Sequence, residues 1–351
     1  MTGFVLKKLL YGLLIYISVA TVVFFLFSAS FPTPDELATG QRSDEKTRKA
    51  IQKEFGLDKP LWKQYLLYLN DISFVSVYPV SELREVNSSK VHFLTVGQKA
   101  WVCKFPYLRR SFQSGKAVNT ILTEAFQGTL ILALASILIA SVFGVALGAL
   151  AAIRKDSWVD RLVLFIATMG ISLPSFFVAI LLAWLFGYVL SEYTQLNMTG
   201  NYMDIDPFRG EVFIWKNLLL PTLALGIRPL AIFSQLTRAS VLDVLPRDYI
   251  RTAKAKGVTP ARILTRHLLR NSMIPVVTAI SGWFASLLAG TFFVEFIFNW
   301  KGLGKVTVDA LENSDLPVVM GSVIMVALIF VVVNVLVDIL YSVLDPRIAL
   351  E

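Results

Sequence analysis

The chain has 351 residues, is 55% hydrophobic and only 17% charged, and has a mean hydropathy of +0.64, which excludes an ordinary soluble domain and reads as a membrane protein. Its net charge of +8 fits basic loops at a membrane rather than nucleic-acid binding. Two histidines and a lone Cys103 argue against metal and redox chemistry and rule out an internal disulfide.

Lys7 and Lys8 precede an apolar run from Leu9 to about Phe27. Ser28-Ala29-Ser30 offers a small-x-small cleavage site, but the run exceeds the roughly 7–15 residues of a signal peptide core. Residues 1–31 are therefore expected to form the first span, with a cytoplasmic N-terminus. Residues 32–126, with 14 Lys/Arg and 10 Asp/Glu, are too polar to span and read as an extracytoplasmic segment. Within it, Thr33-Pro34-Asp35-Glu36 starts a helix, Thr47 to Phe55 predicts a short exposed helix, and Val91–Val96 with Trp101–Phe105 predicts a hairpin across Gly97 to Ala100.

The second span is expected over Gln127 to Ile153. Gly144 and Gly148, four apart, either admit a neighbouring backbone or are simply tolerated. Leu162 to about Leu190 predicts the third span, with Ser172-Leu173-Pro174-Ser175 inside it. Pro174 removes a backbone donor, and a nearby hydroxyl can satisfy the freed carbonyl. Ser172 and Pro174 either line a pathway or only kink the helix. A polar link, 191–217, leads to the fourth span from Leu218 to about Thr237. The fifth is expected from Met273 to Phe298, and after a link the sixth runs from Val318 to Leu344.

Between the fourth and fifth spans lies a basic island. Three bases in the loop 154–161 and eight over 238–270 face two each in the links 191–217 and 299–317, which places both termini in the cytoplasm. Asp248 to Lys256 predicts two helical turns, with Ala253, Ala255 and Gly257 leaving the backbone accessible and Gly257 ending the helix. Thr259-Pro260 restarts it. Arg262, Arg266 and Arg270 then make a basic stripe on a second, surface-lying amphipathic helix. A DNA-reading helix-turn-helix is excluded because so short a stretch between two spans cannot build a core. Contact with anionic lipid and docking to a cytoplasmic protein both fit the residues.

The cytoplasmic loops of ABC importer permeases carry a Glu-Ala-Ala, three residues, Gly, nine residues, Ile-x-Leu-Pro pattern. This chain is similar at Ala253, Gly257 and Leu269 and departs at Arg251, Thr252, His267 and Arg270. The stretch Asp248-Tyr249-Ile250-Arg251-Thr252-Ala253-Lys254-Ala255-Lys256-Gly257 resembles the variant in the dipeptide/oligopeptide/nickel branch. The resemblance to that branch's first permease subunit extends to Leu57–Tyr65, Ser111–Gly115, Ser172–Phe176, Leu236–Ser240, Val294-Glu295 with Trp300–Gly304, and Leu344–Arg347. An excess over the family at about 71–108 includes Cys103 and the hairpin. It reads as either a contact to a binding protein or a neutral surface insertion.

The resemblance implies an all-α membrane protein with six transmembrane helices, the type I ABC importer permease fold. Residues 127–351 would form the five-helix core, with a coupling loop at about 238–272. It implies a multi-pass subunit of a bacterial inner membrane importer of di- or oligopeptides, nickel or another small solute. The implied partners are a second homologous permease, two ATP-binding subunits that hold ATP and Mg, an extracytoplasmic binding protein and membrane lipid, with no nucleic acid. The chain itself is expected to hold no cofactor and to be no enzyme. Its nearest approach to a phosphate-binding loop, Ser114-Gly115-Lys116-Ala117, lacks the leading glycine and the hydroxyl. Coupling to the ATPase is expected of Asp248, Tyr249, Arg251, Thr252, Ala253, Lys254, Ala255 and Gly257. Glu295 is expected either to gate the outer mouth or contact a delivery protein, or to be a plain interfacial residue. Asn334 and Asp338 share a face of the last span in a pathway or a structural role. A stand-alone secondary transporter is disfavoured by the lack of an evident inverted repeat and by the few charges within the spans.

Overall fold

The computed structural model describes residues 2–30, 59–79, 91–96, 99–206, 208 and 210–344. The helices expected from Thr33 and over Thr47 to Phe55 lie outside the described residues. Among the described residues, five continuous helices are long and apolar enough to cross a membrane. They lie in α1 (Thr2–Ser30), α3 (Val118–Ile153), α6 (Trp215–Val244), α8 (Pro260–Gly290) and α11 (Leu316–Leu344). A bent pair, α4 (Trp158–Ser172) and α5 (Ser175–Val189), which meet at 107°, is together long and apolar enough for a sixth crossing when the two are counted as one broken span.

That bend corrects the expectation of one kinked third span. Leu173 and Pro174 are extended rather than helical, so the chain leaves α4 and restarts at Ser175. The Ser172 hydroxyl donates to the Thr168 carbonyl at 2.8 Å, one turn back in its own helix, and does not cap the Gly170 carbonyl that Pro174 leaves without a donor.

The fifth span also differs. Its helix begins at Pro260, ahead of the expected Met273, passes through a π-helical stretch at Ile263–Leu269, and ends at Gly290. The surface-lying helix with Arg262, Arg266 and Arg270 is thus no separate element but the first turns of α8. Beyond Thr291 come α9 (Phe292–Ile297) and α10 (Leu303–Glu312), so the expected link at 299–317 is largely helical.

The described chain divides into two compact units, one built around Ala125–Lys305, the other from Lys7–Glu124 with Val306–Val331. In the second unit, Tyr16, Ala20 and Phe24 of α1 pack with Tyr68 and Ile72 of α2 (Leu61–Ile72) and with Ile324. The Tyr16 hydroxyl donates to the Ile72 carbonyl at 3.1 Å. Asp315 accepts from the Ser111 hydroxyl and the Phe112 amide, fixing the Ser111–Gly115 turn against the start of α11. Three strands, β1 (Val75–Pro79), β2 (Val91–Val96) and β3 (Lys99–Cys103), form an antiparallel sheet in the order β1-β3-β2. The strand pairing extends further than expected, because Lys99 and Ala100 already pair with Val96 and Thr95. Sequence reading missed β1, which pairs Val75 with Cys103.

In the first unit, small residues let α3 and α6 approach. A side-chain carbon on Gly144 would strike Leu230 and Phe233, and one on Gly148 would strike Ser234 and Thr237. The two glycines therefore serve close backbone packing rather than being merely tolerated. The link 191–217 contains a hairpin, β4 (Met203–Asp206) with β5 (Gly210–Phe213).

Candidate functional site

The coupling stretch is a short helix mounted on a hydrophobic seat. In α7 (Asp248–Ala255), Ile250 is fully buried and Ala253 nearly so, against Ala152, Val241, Ile263 and Leu268. On the other side Asp248, Arg251, Thr252, Lys254 and Ala255 are exposed, as are Tyr249, Lys256 and Gly257. Asp248, Arg251, Thr252 and Ala255 are spaced three and four apart, so they share one outward stripe. Thr252 donates its hydroxyl to the Asp248 carbonyl at 3.0 Å, and the exposed Arg251–Asp248 pair is 3.7 Å apart.

The end of α7 follows from Gly257. Its φ of +74° is the left-handed conformation that favours glycine. The Gly257 amide bonds to the Lys254 carbonyl at 3.0 Å and the Val258 amide to that of Ala253 at 3.2 Å, the paired bonds of a Schellman stop. Val258 then packs into the same seat. Thr259 is extended and Pro260 is the first helical residue of α8, though the Thr259 side chain makes no capping bond.

A buried ion pair lies at the ends of α6 and α4. Arg238 reaches Asp160 through two bonds, 2.6 and 2.7 Å, and Asp160 is 2% exposed. Asp160 also accepts the Asp156 amide at 3.0 Å. Arg238 lies in the Leu236–Ser240 stretch that resembles the family, whereas Asp160 lies in none of the resembling stretches. The available signal was an acid three residues after Ser157, which caps α4 by accepting the Asp160 amide.

Glu295 is fully buried and assembled with four donors. Its Oε1 accepts the hydroxyls of Thr129 at 2.8 Å and Thr291 at 2.7 Å, and its Oε2 accepts the amides of Gly304 at 2.7 Å and Lys305 at 3.3 Å. Those amides belong to the first turn of α10, where backbone donors have no helical partner and a carboxylate is favoured. Burial pushes the Glu295 carboxyl above the ordinary carboxylate range, and the four hydrogen bonds pull against that shift. The Thr129 hydroxyl also accepts the Leu303 amide at 2.8 Å, and the Trp300 indole donates to the Gly128 carbonyl at 2.9 Å. The Phe298 carbonyl takes the Gly200 amide at 2.9 Å, and Asn201 accepts the Lys301 amide at 3.2 Å. Glu295 thus sits inside a lattice that joins α3, α9, α10 and the link before α6, and it presents no surface of its own.

Ser172 and Pro174 are exposed at the break between α4 and α5. Asn334 and Asp338 are half-buried, one turn apart on α11. The structure brings Glu295 together with Thr129 and Thr291, residues the sequence reading passed over. It also shows Arg228 inside the fourth span, exposed, with its guanidinium 5.9 Å from the centre of the Trp283 ring. A single arginine in an otherwise apolar run was the signal available for it.

Residues 144–350 match the family described as the binding-protein-dependent transport system inner membrane component, and residues 1–133 match the corresponding N-terminal family. The chain belongs to this family of ABC importer permeases. It is 33% identical over 349 residues to the glutathione transport system permease protein GsiC of Escherichia coli strain K12, covering 99% of each chain. The same identity and coverage hold for GsiC of Shigella flexneri serotype 5b strain 8401. Among solved structures, it is similar to a chain of the MetNI methionine ABC transporter in inward-facing conformations, with 17% identity and a TM-score of 0.46, covering 62% of this chain and 95% of that one. The chain is accordingly a multi-pass membrane permease subunit of a binding-protein-dependent ABC importer.

Proposed function

We propose that this subunit carries di- or oligopeptides inward, paired with a second homologous permease, and is driven by two ATP-binding subunits that hold ATP and Mg. An extracytoplasmic binding protein delivers the solute, and both termini lie in the cytoplasm of a bacterial cell, as the distribution of lysine and arginine supports. The peptide class is supported by the similarity to GsiC, a glutathione permease by name. Most weight falls on one observation: α7 is held from below by Ile250 and Ala253 while its outer stripe is free to enter a cleft. Closure of the ATPase pair would move α7, and its seat on Val241, Ile263 and Leu268 passes that motion to α6 and α8.

Arg262, Arg266 and Arg270 serve the lipid. Arg270 lies about 30 Å from Gly290 at about 1.5 Å per helical residue, the thickness of the hydrocarbon core. All three arginines are exposed at or just beyond that boundary, where anionic headgroups attract them.

The test is Ala255→Trp in the complete importer in proteoliposomes. Ala255 is exposed, so the melting temperature should stay within about 1 °C of wild type. Peptide uptake and binding-protein-stimulated ATP hydrolysis should both fall by about tenfold or more. Unchanged uptake and ATPase would remove α7 from the coupling role.

A further inference from the structure

We propose that Arg228 is a way station for the carboxylate of the transported solute, inside the membrane-crossing part of the chain. The inference rests on the peptide reading above and names the group on the peptide that is recognised. Arg228 lies in α6, about 20 Å along the helix from Trp215 and about 24 Å from Val244 at about 1.5 Å per residue. Trp283, whose ring it overlies, is about 10 Å along α8 from Gly290. Both placements put the guanidinium within the depth of a hydrocarbon core of about 30 Å.

An ionised arginine at that depth is costly unless it faces water or a partner. Within the chain its neighbour is an aromatic face, and Arg228 is exposed beyond it. Among the described residues no ion pair to Arg228 is found. This contrasts with Arg238, ten residues on, which is held by two short bonds to a buried carboxylate.

The pairing suits transient binding. A tryptophan face steadies a guanidinium yet leaves its N–H edges free to take a carboxylate in a bidentate fork. A translocation site must hold its solute strongly enough to admit it and weakly enough to release it. A permanent protein carboxylate on Arg228 would work against the second requirement, whereas an exchangeable aromatic partner does not. Peptides carry a carboxylate at their C-terminus, so the site would favour free peptides over their neutral amides.

The experiment uses the complete importer with its binding protein in proteoliposomes. The probes are trialanine and trialanine amide, and the variants are Arg228→Gln and Arg228→Lys. Wild type should take up the acid at least about tenfold faster than the amide. Arg228→Gln should lose that preference, mostly through slower uptake of the acid, and Arg228→Lys should keep part of it. In parallel, Arg228→Cys on a Cys103→Ser background should react with a charged, membrane-impermeant thiol reagent, and trialanine should slow the reaction. Cys103 is exposed and would otherwise react too. No labelling would place position 228 against lipid or protein and overturn the proposal. So would uptake by Arg228→Gln with the wild-type preference intact. Failure of the wild type to take up trialanine would instead sink the peptide reading, and the inference with it.

Discussion

Glu295 shows how one buried side chain can hold several elements. All four of its bonds are accepted, so the carboxylate has no donor to offer and needs none. Glu295→Gln keeps the size but turns one acceptor into a donor pair facing either two hydroxyls or two amides. With the nitrogen toward the hydroxyls, Thr129 would have to accept it beside the Leu303 amide and turn its own hydrogen out of the site, and with the nitrogen toward the amides donors face donors. The variant should destabilise the subunit by about 3 kcal/mol, within the range for stranded buried polar groups, and its thermal melt in the purified complex should fall accordingly. A melt superimposable on wild type would show that the lattice does not depend on the charge. The neighbouring glycines belong to the same device, since a side-chain carbon on Gly302 would overlap the Glu295 carboxylate and one on Gly304 would overlap the Phe292 backbone. Sequence reading found Glu295 and the Trp300–Gly304 run by resemblance. It had no means of seeing that Thr129, 166 positions earlier, closes the site.

At the scale of elements, the coupling loop was legible where local chemistry decides and illegible where packing does. Gly257 as a stop and Thr259-Pro260 as a restart follow from backbone preferences, and the structure has both. Which of the small residues points outward depends on what lies beneath the helix. Ala253 turns inward onto Ile263 and Leu268, whereas Ala255 turns out. Ala253→Glu therefore does not test docking alone, because it buries a charge in the apolar seat. It should lower the melting temperature of the isolated subunit as well as uptake, while Ala255→Trp should lower uptake only. Equal melts for the two variants would contradict the inward placement of Ala253. The bend at Leu173-Pro174 was half legible in the same way. A proline marks the weak point, but the 107° angle belongs to the packing of α5 on α6.

For the whole molecule, hydrophobic run lengths set the number of crossings and basic loops set their expected sense, because both are read by the membrane rather than by distant residues. The stretch at about 71–108, expected to be an insertion, follows from neither rule, and its sheet pairs β1 with β3 across about 25 residues of chain. Its ends nevertheless make its removal straightforward. The Lys104 amide donates to the Phe74 carbonyl at 2.9 Å and the Tyr107 amide to the Asp71 carbonyl at 2.8 Å, so the two strands of chain leaving the sheet are already neighbours. Deleting 75–103 and joining Phe74 to Lys104 through two glycines leaves in place the Arg109–Asp71 pair and the Asn119 bonds to Pro106 and Leu108. The shortened subunit should insert, melt close to wild type and assemble with its partners, since short closures between adjacent ends cost little. Uptake measured with the complete importer then separates the two roles left open by the sequence. Wild-type uptake identifies a neutral insertion, and lost uptake with intact assembly identifies a contact with the delivering protein. Failure to assemble would show instead that the sheet is part of the fold on which α1 and α2 depend.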